Sequence, residues 1–233
     1  MLPLAILAGG YATRLGNLTK DLPKCLIEIN GRPFIEWQLD LLIKNGYSDF
    51  VFCLSYKSDM VQEYLGDGSS RGVKIQYSLD GETQLGTGGA IQNALPTLGE
   101  AFAVLYGDSY LPINYLTVEK EFLNSANPAL MTVYENKNQF DSSNVEFVDG
   151  NLINYQKGSS DKKMQHIDYG LTYFRSSAFL PCSDQSVFDL SEVCHDLTTH
   201  GFMGGFEVFE RFYEIGSVHG IHELSEYLRK VSQ

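Results

Sequence analysis

Through the first half of the chain, short apolar runs that read as strands alternate with runs that read as helices, and this order narrows the fold more than any other feature. Strands are expected over residues 4–7, 50–55, 73–79 and 101–106, with helices near 34–44 and 59–65 and a further helix starting after Gly89 and carrying Ala90, Ile91 and Ala94. Alternation of this kind implies parallel βαβ units and therefore an α/β protein. The first helix places Phe34, Trp37 and Leu41 on one face and stops at Asn45-Gly46, a good C-terminal signal. In open α/β sheets ligands sit in the crevice at the carboxyl ends of the strands. The residues that follow Leu7 and Tyr106 are thus the first places to look for chemistry.

Directly after the first strand stands LAGGYATRLGNLTKDLPK, from Leu7 to Lys24. Gly9-Gly10 lets the backbone turn tightly and approach a ligand without Cβ interference, so amide N–H groups can face phosphate oxygens. Arg14 offers a guanidinium fork and Lys24 a point charge, both of which pair readily with phosphate, and Pro23 stiffens the approach to Lys24. A Gly-Gly pair alone is more often a plain turn between two solvated cations; the whole run points to a triphosphate cradle. Neither G-x-x-x-x-G-K-[ST] nor G-x-G-x-x-G is present, so this is neither a P-loop nor a dinucleotide fingerprint.

The second half is less regular. Strands are expected over 129–134, 144–148, 152–155 and 169–174, with a hairpin turn at Asp149-Gly150-Asn151, then a helix over 190–199, a strand near 207–209 and an amphipathic helix around 221–228. A length of 233 residues with 43% apolar content suits one domain, 1–233, with a nucleotide-binding half to about 112 and an acceptor-binding half from about 113. The net charge of -12 argues against general affinity for nucleic acid or anionic membrane. No apolar stretch approaches the ~20 residues of a membrane span, and no signal-peptide pattern opens the chain, so a cytoplasmic location is expected. Cys25, Cys53, Cys182 and Cys194 form no C-x-x-C, and the histidines are dispersed, so buried thiols are expected rather than a zinc site. No G-x-S-x-G supports nucleophilic hydrolysis. Oligomeric state is not legible, and a homo-oligomer stays open.

LAGGYATRL followed by Pro23-Lys24 resembles the signature of the sugar-1-phosphate nucleotidyltransferases, roughly (L/A)-x-G-G-x-G-T-R-L followed by P-K. The resemblance implies a Rossmann-like three-layer α/β sandwich with a mixed, mainly parallel sheet and a small β-rich elaboration on the substrate side. It also implies transfer of a nucleoside monophosphate from a nucleoside triphosphate to a sugar 1-phosphate, with Mg²⁺ as cofactor and pyrophosphate as by-product. In that family pattern Arg14, Lys24 and Asp108 are catalytic, and Leu7, Ala8, Gly9, Gly10 and Thr13 meet the nucleotide. LGTGGA, residues 85–90, is similar to the family's base-reading loop, which adds Gln84, Gly86, Thr87 and Gly88 as nucleotide contacts.

Gly107-Asp108 matches the family's G-D after a strand, which implies Gly107 as a further nucleotide contact and Asp108 as a metal ligand. The late D-x-G-T motif is matched by Tyr213-Glu214-Ile215-Gly216-Ser217, where glutamate replaces aspartate and makes Glu214 the second candidate ligand. On the acceptor side the implied contacts are Glu146, Lys157, Asp168 and Gly170, with Asp168 standing where many relatives carry asparagine in N-x-G. One departure lies in the signature itself, where Ala12 replaces the usual glycine before T-R-L. D-L-P-K, N-G-R-P-F and LGTGGA look closest to the heptose 1-phosphate guanylyltransferases. The alternatives are a cytidylyltransferase for a non-sugar phosphate such as phosphocholine, and a catalytically silent, ligand-sensing member of the fold.

Overall fold

The computed structural model describes residues 1–10, 22–158 and 161–231. In chain order the elements are β1 (Leu4–Leu7), β2 (Glu28–Ile29), β3 (Arg32–Pro33), α1 (Phe34–Lys44), β4 (Asp49–Leu54), α2 (Ser58–Leu65), β5 (Lys74–Leu79), α3 (Gly86–Leu98), β6 (Ala101–Tyr106) and β7 (Ser109–Tyr110). They continue with α4 (Tyr115–Asn124), β8 (Ala129–Glu135), β9 (Val145–Val148), β10 (Asn151–Tyr155), β11 (His166–Arg175), α5 (Leu190–Thr199), β12 (Met203–Val208), β13 (Tyr213–Glu214) and α6 (Val218–Val231).

β6, β1, β4 and β5 lie side by side and wholly parallel, as the alternation requires. Residues alternate across the strands: Leu4 and Ile6 of β1 and Phe50, Phe52 and Leu54 of β4 join Ile35, Leu39 and Leu42 of α1 and Val61 and Leu65 of α2 on one face. Ala5, Val51 and Cys53 meet Ala90, Ile91 and Ala94 of α3 on the other. Both faces are therefore covered by helices, which is why these strands read as continuous apolar runs. The chain runs outward from β1 through β4 to β5 and then returns to β6 on the other side of β1. That reversal opens a crevice between β1 and β6, where Leu7 and Tyr106 are register partners.

β11 extends the sheet on the far side of β6 and pairs antiparallel with β6, β8 and β9. β12 adds to β8 in parallel, and β9 and β10 form the expected hairpin. Asp149 and Gly150 carry its turn with φ of 50° and 80°, the left-handed pair that a two-residue hairpin loop needs. β7 and β13 form a separate two-stranded ladder in which Glu214 is the register partner of Ser109.

Besides β11 and α6, which begin three residues before the expected 169 and 221, two boundaries and one helix differ from expectation. α3 begins at Gly86 rather than after Gly89, so the glycine cluster is the helix's first turn and not a loop before it. β12 starts at Met203, before the expected 207, pairing with β8 from Ala129 onward; its first glycines carry no apolar pattern, since a Cβ on Gly205 would run into the Phe147 ring and one on Gly204 would lie 2.9 Å from the Asn127 amide nitrogen. α4 was not foreseen, although Asn114 caps it by accepting from the Thr117 amide at 3.2 Å and Tyr115, Val118 and Phe122 form its buried face. Among the described residues no helix is long and apolar enough to cross a membrane.

Candidate active site

A cleft of about 400 Å³ opens at the carboxyl ends of β1, β4, β5 and β6. Leu7, Ala8, Gly9 and Gly10 form one wall, Gln84, Gly86 and Thr87 another, and Gly107, Asp108 and Lys24 the floor beside them. The backbone must come close here. A Cβ on Gly107 would lie 2.8 Å from the Leu7 carbonyl oxygen, and one on Gly9 would lie 2.9 Å from the Ser55 amide nitrogen. Gly10, in contrast, has open space where a Cβ would stand and no left-handed φ to require glycine. Among the described residues nothing packs within 4 Å of where its side chain would stand. Thr13, Arg14 and Ala12 lie outside the described residues.

Lys24 Nζ donates to Asp108 Oδ2 at 2.5 Å, so the candidate phosphate cation and the candidate metal ligand meet across 84 positions of sequence. Both are partly exposed to the cleft. Asp108 Oδ1 accepts a longer bond from Ser109 Oγ at 3.4 Å. The β7–β13 ladder brings Glu214 to this end of the molecule, but its carboxylate is engaged locally. One oxygen accepts from the Gly216 amide and the other from Ser217 Oγ at 3.1 Å, at the start of α6. Among the described residues no three histidine, cysteine or acidic side chains converge as a metal cluster. Asp108 is nevertheless a hard-oxygen donor with unused lone pairs, and Mg²⁺ is commonly held by one or two carboxylates together with substrate phosphates. The residues present fit such an ion through Asp108.

The glycine cluster divides its work. Gly86 and Thr87 line the cleft and Gly88 does not, but both glycines also pack on Phe188: a Cβ on Gly86 would lie 2.5 Å from its carbonyl oxygen and one on Gly88 would run into its ring. The amides of Gly88 and Gly89 both donate to the Phe188 carbonyl, at 3.0 and 3.3 Å. The close approach at Gly88 in this structure is to Phe188, and the helix terminus is already half capped by protein. Gln84 reaches the Gly9 carbonyl at 3.4 Å, across the mouth of the cleft.

Sequence reasoning missed Asp80 and Tyr106, which also line the cleft. Asp80 stands just past β5, as Asp108 stands just past β6, and that position was the available signal. Its carboxylate accepts from the Leu85 amide at 3.2 Å and fixes the entry to α3, while burial pushes its pKa above the ordinary carboxylate value. Cys25 and Cys53 reach the same walls, but burial pushes both thiols up to about 12, which leaves them inert at neutral pH.

The acceptor-side residues do not gather in this cleft. Asp168 and Gly170 are on β11, Glu146 is on β9, and Lys157 follows β10. Gly170, with φ of 101°, lies against Ser109 and Tyr106, which sets it beside Asp108's turn. Asp168 Oδ1 accepts from the Gly170 amide at 3.0 Å, and burial pushes the Asp168 carboxyl up to about 6 against the lowering effects of that bond and of Lys157. Lys157 is exposed and donates to Asp189 at 3.0 Å, at the N-cap of α5. Glu146 is half-buried beside Asn154 in the hairpin.

A nucleotidyl transferase family model matches residues 4–147. Over 109 residues the chain is 40% identical to the D-glycero-alpha-D-manno-heptose 1-phosphate guanylyltransferase of Campylobacter jejuni, a match covering 47% of this chain and 48% of that protein. It is 38% identical over 111 residues to the N-acetylmuramate alpha-1-phosphate uridylyltransferase of Neisseria meningitidis, again covering 47% of this chain and 48% of the relative. The chain thus matches about half the length of these curated relatives. The inositol-1-phosphate CTP transferase of T. maritima shares the fold, with a TM-score of 0.83 and 20% identity over 100% of this chain and 97% of that one.

Proposed function

Because the chain belongs to the nucleotidyl transferase family, we propose that it transfers the nucleoside monophosphate of a nucleoside triphosphate to a sugar 1-phosphate, with GTP and a heptose 1-phosphate as the pair it uses. The observation that carries this reading is the meeting of Gly9-Gly10, Lys24 and Asp108 in one cleft at the reversal of strand order. A phosphate oxygen of the acceptor attacks the α-phosphorus; the new P–O bond forms as the bond to the bridging oxygen breaks, and its electron pair leaves with pyrophosphate. The attacking phosphate is already an anion at neutral pH, so no side chain has to remove a proton.

The protein's part is positioning and charge. The Gly9 and Gly10 backbone gives the triphosphate a wall without side chains, and Lys24 places positive charge beside it. Asp108 would hold Mg²⁺, which when bound neutralises phosphate charge; Glu214 would be recruited only by giving up its bonds to Gly216 and Ser217. Arg14, in the signature run, adds a second cation on the β- and γ-phosphates. Lys157, released from Asp189, meets the acceptor phosphate, and Glu146, Asp168 and Gly170 accept or border its hydroxyl groups.

The test is pyrophosphate release with each of four nucleoside triphosphates against a set of sugar 1-phosphates and phosphocholine. Release is expected to need both substrates and to be fastest with GTP and a heptose 1-phosphate. Release with CTP and phosphocholine alone would instead support the cytidylyltransferase reading, and none with any pair the sensor reading.

A further inference from the structure

Gln38 lies in the middle of the buried face of α1, between Ile35, Leu39 and Leu42, and is itself only 1% exposed. An apolar residue of similar volume would serve the packing there, and burying an amide costs free energy unless its groups are bonded. Its donors are used in one place. Nε2 donates both to the Tyr106 carbonyl at 3.0 Å and to the Ser109 carbonyl at 2.7 Å. Those two carbonyls stand on either side of Gly107-Asp108. Oε1 has no partner among the described residues, so the side chain is retained for its N–H groups at the expense of an unpaired oxygen.

The turn is tethered elsewhere by backbone: the Gly107 amide donates to the Leu7 carbonyl at 2.9 Å, and the Ile215 amide donates to the Asp108 carbonyl at 3.0 Å. Such bonds survive most substitutions. Lys24 and Ser109 bond the Asp108 carboxylate itself; the Gln38 staple holds the backbone on either side of it through a side chain, so it depends on residue identity and bears on the segment that aims the carboxylate at Lys24 and the cleft. Resting on the reading of this cleft as the site of nucleotidyl transfer, we propose that Gln38 is a positioning residue, which fixes the Gly107-Asp108 turn and so sets Asp108 for the divalent cation and the triphosphate.

Q38M keeps the volume of the side chain and removes both donors, and Q38N keeps the amide on a stem too short to span both carbonyls. Pyrophosphate release is measured for the full chain and both variants against divalent-cation, nucleotide and sugar 1-phosphate concentration, with Tm recorded alongside. In Q38M, kcat should fall roughly a hundredfold, the scale of a small misplacement of reacting groups, and the cation concentration for half-maximal rate should rise severalfold. KM for the sugar 1-phosphate should stay within about twofold, and Q38N should fall between Q38M and the parent.

Mn²⁺ binding in the presence of GTP and without acceptor, followed by electron paramagnetic resonance, should weaken in the same order. A lowered Tm with unchanged cation dependence and unchanged kcat per folded molecule would mean packing alone and overturn the proposal. If the parent chain releases no pyrophosphate from any substrate pair, the reading of the reaction fails and Mn²⁺ binding alone decides on Gln38. Weaker binding in the variants then supports the positioning role, and equal binding, or none by the parent chain, overturns it. Should Q38M fail to fold, the same comparison is made between Q38N and the parent.

Discussion

The two halves of the chain treat their candidate residues differently. In the first half Leu7, Ala8, Gly9, Gly10, Lys24, Gln84, Gly86, Thr87, Gly107 and Asp108 all face one cleft. In the second, Lys157 is tied to Asp189, Asp168 is folded onto Gly170, and Glu146 stands on a hairpin. The cause is strand direction. Parallel strands deliver every carboxyl end to the same edge, so residues distant in sequence converge there. Antiparallel neighbours send successive ends to opposite edges, and the position of a residue along its strand no longer says which site it joins.

Asp108→Ala is the strongest way to break this contrast. Turnover should fall on the order of a hundredfold to a thousandfold, while Tm moves little because the ion pair with Lys24 is partly solvated. Pyrophosphate-release kinetics beside a thermal melt would check both, and unaltered turnover would remove Asp108 from the chemistry. Gly10→Ala sharpens the same side. The Cβ meets nothing within 4 Å among the described residues, so stability should hold while KM for the nucleotide rises roughly tenfold. A stability loss without a KM change would mean that the space belongs to the protein.

On the acceptor side, Lys157→Ala should raise KM for the sugar 1-phosphate by a few fold to about tenfold, the worth of an exposed charge contact, with nucleotide KM unchanged. Equal changes in both constants would deny the division into halves. Asp168→Asn has the smallest expected effect and a defined pH signature. The carboxyl titrates near 6 when folded and near 3.9 when unfolded, so the folded state binds the proton more tightly. The penalty for carrying the charge therefore grows as pH rises from about 4 to about 6 and stays constant above. The variant should gain Tm over the parent across that window and match it below about pH 4; a Tm difference independent of pH would contradict the shift.

Much of the fold could be read from the sequence because the buried parallel strands leave continuous apolar runs that few other elements produce. The cleft was legible for the same reason: Gly9-Gly10 and Gly107-Asp108 follow two such runs. Glycine was the main source of error. At Gly88 it serves the Phe188 ring and at Gly205 the Phe147 ring, while at Gly10 it serves neither, and the letter is the same in all three. Gln38 was invisible because one amide on an apolar helix face carries no motif, and its partners lie 68 and 71 positions away. The pairing of Lys157 with Asp189 likewise joins a loop to a helix cap that no local pattern connects.

The cleft between β1 and β6 is the proposed triphosphate site. A crystal structure of this chain with a non-hydrolysable GTP analogue tests it directly. Phosphate oxygens are expected within hydrogen-bonding distance of Lys24 Nζ and the Gly9-Gly10 backbone, with Asp108 facing them. Phosphates bound away from these residues, such as over the small groove between Arg211 and Lys230, would contradict it.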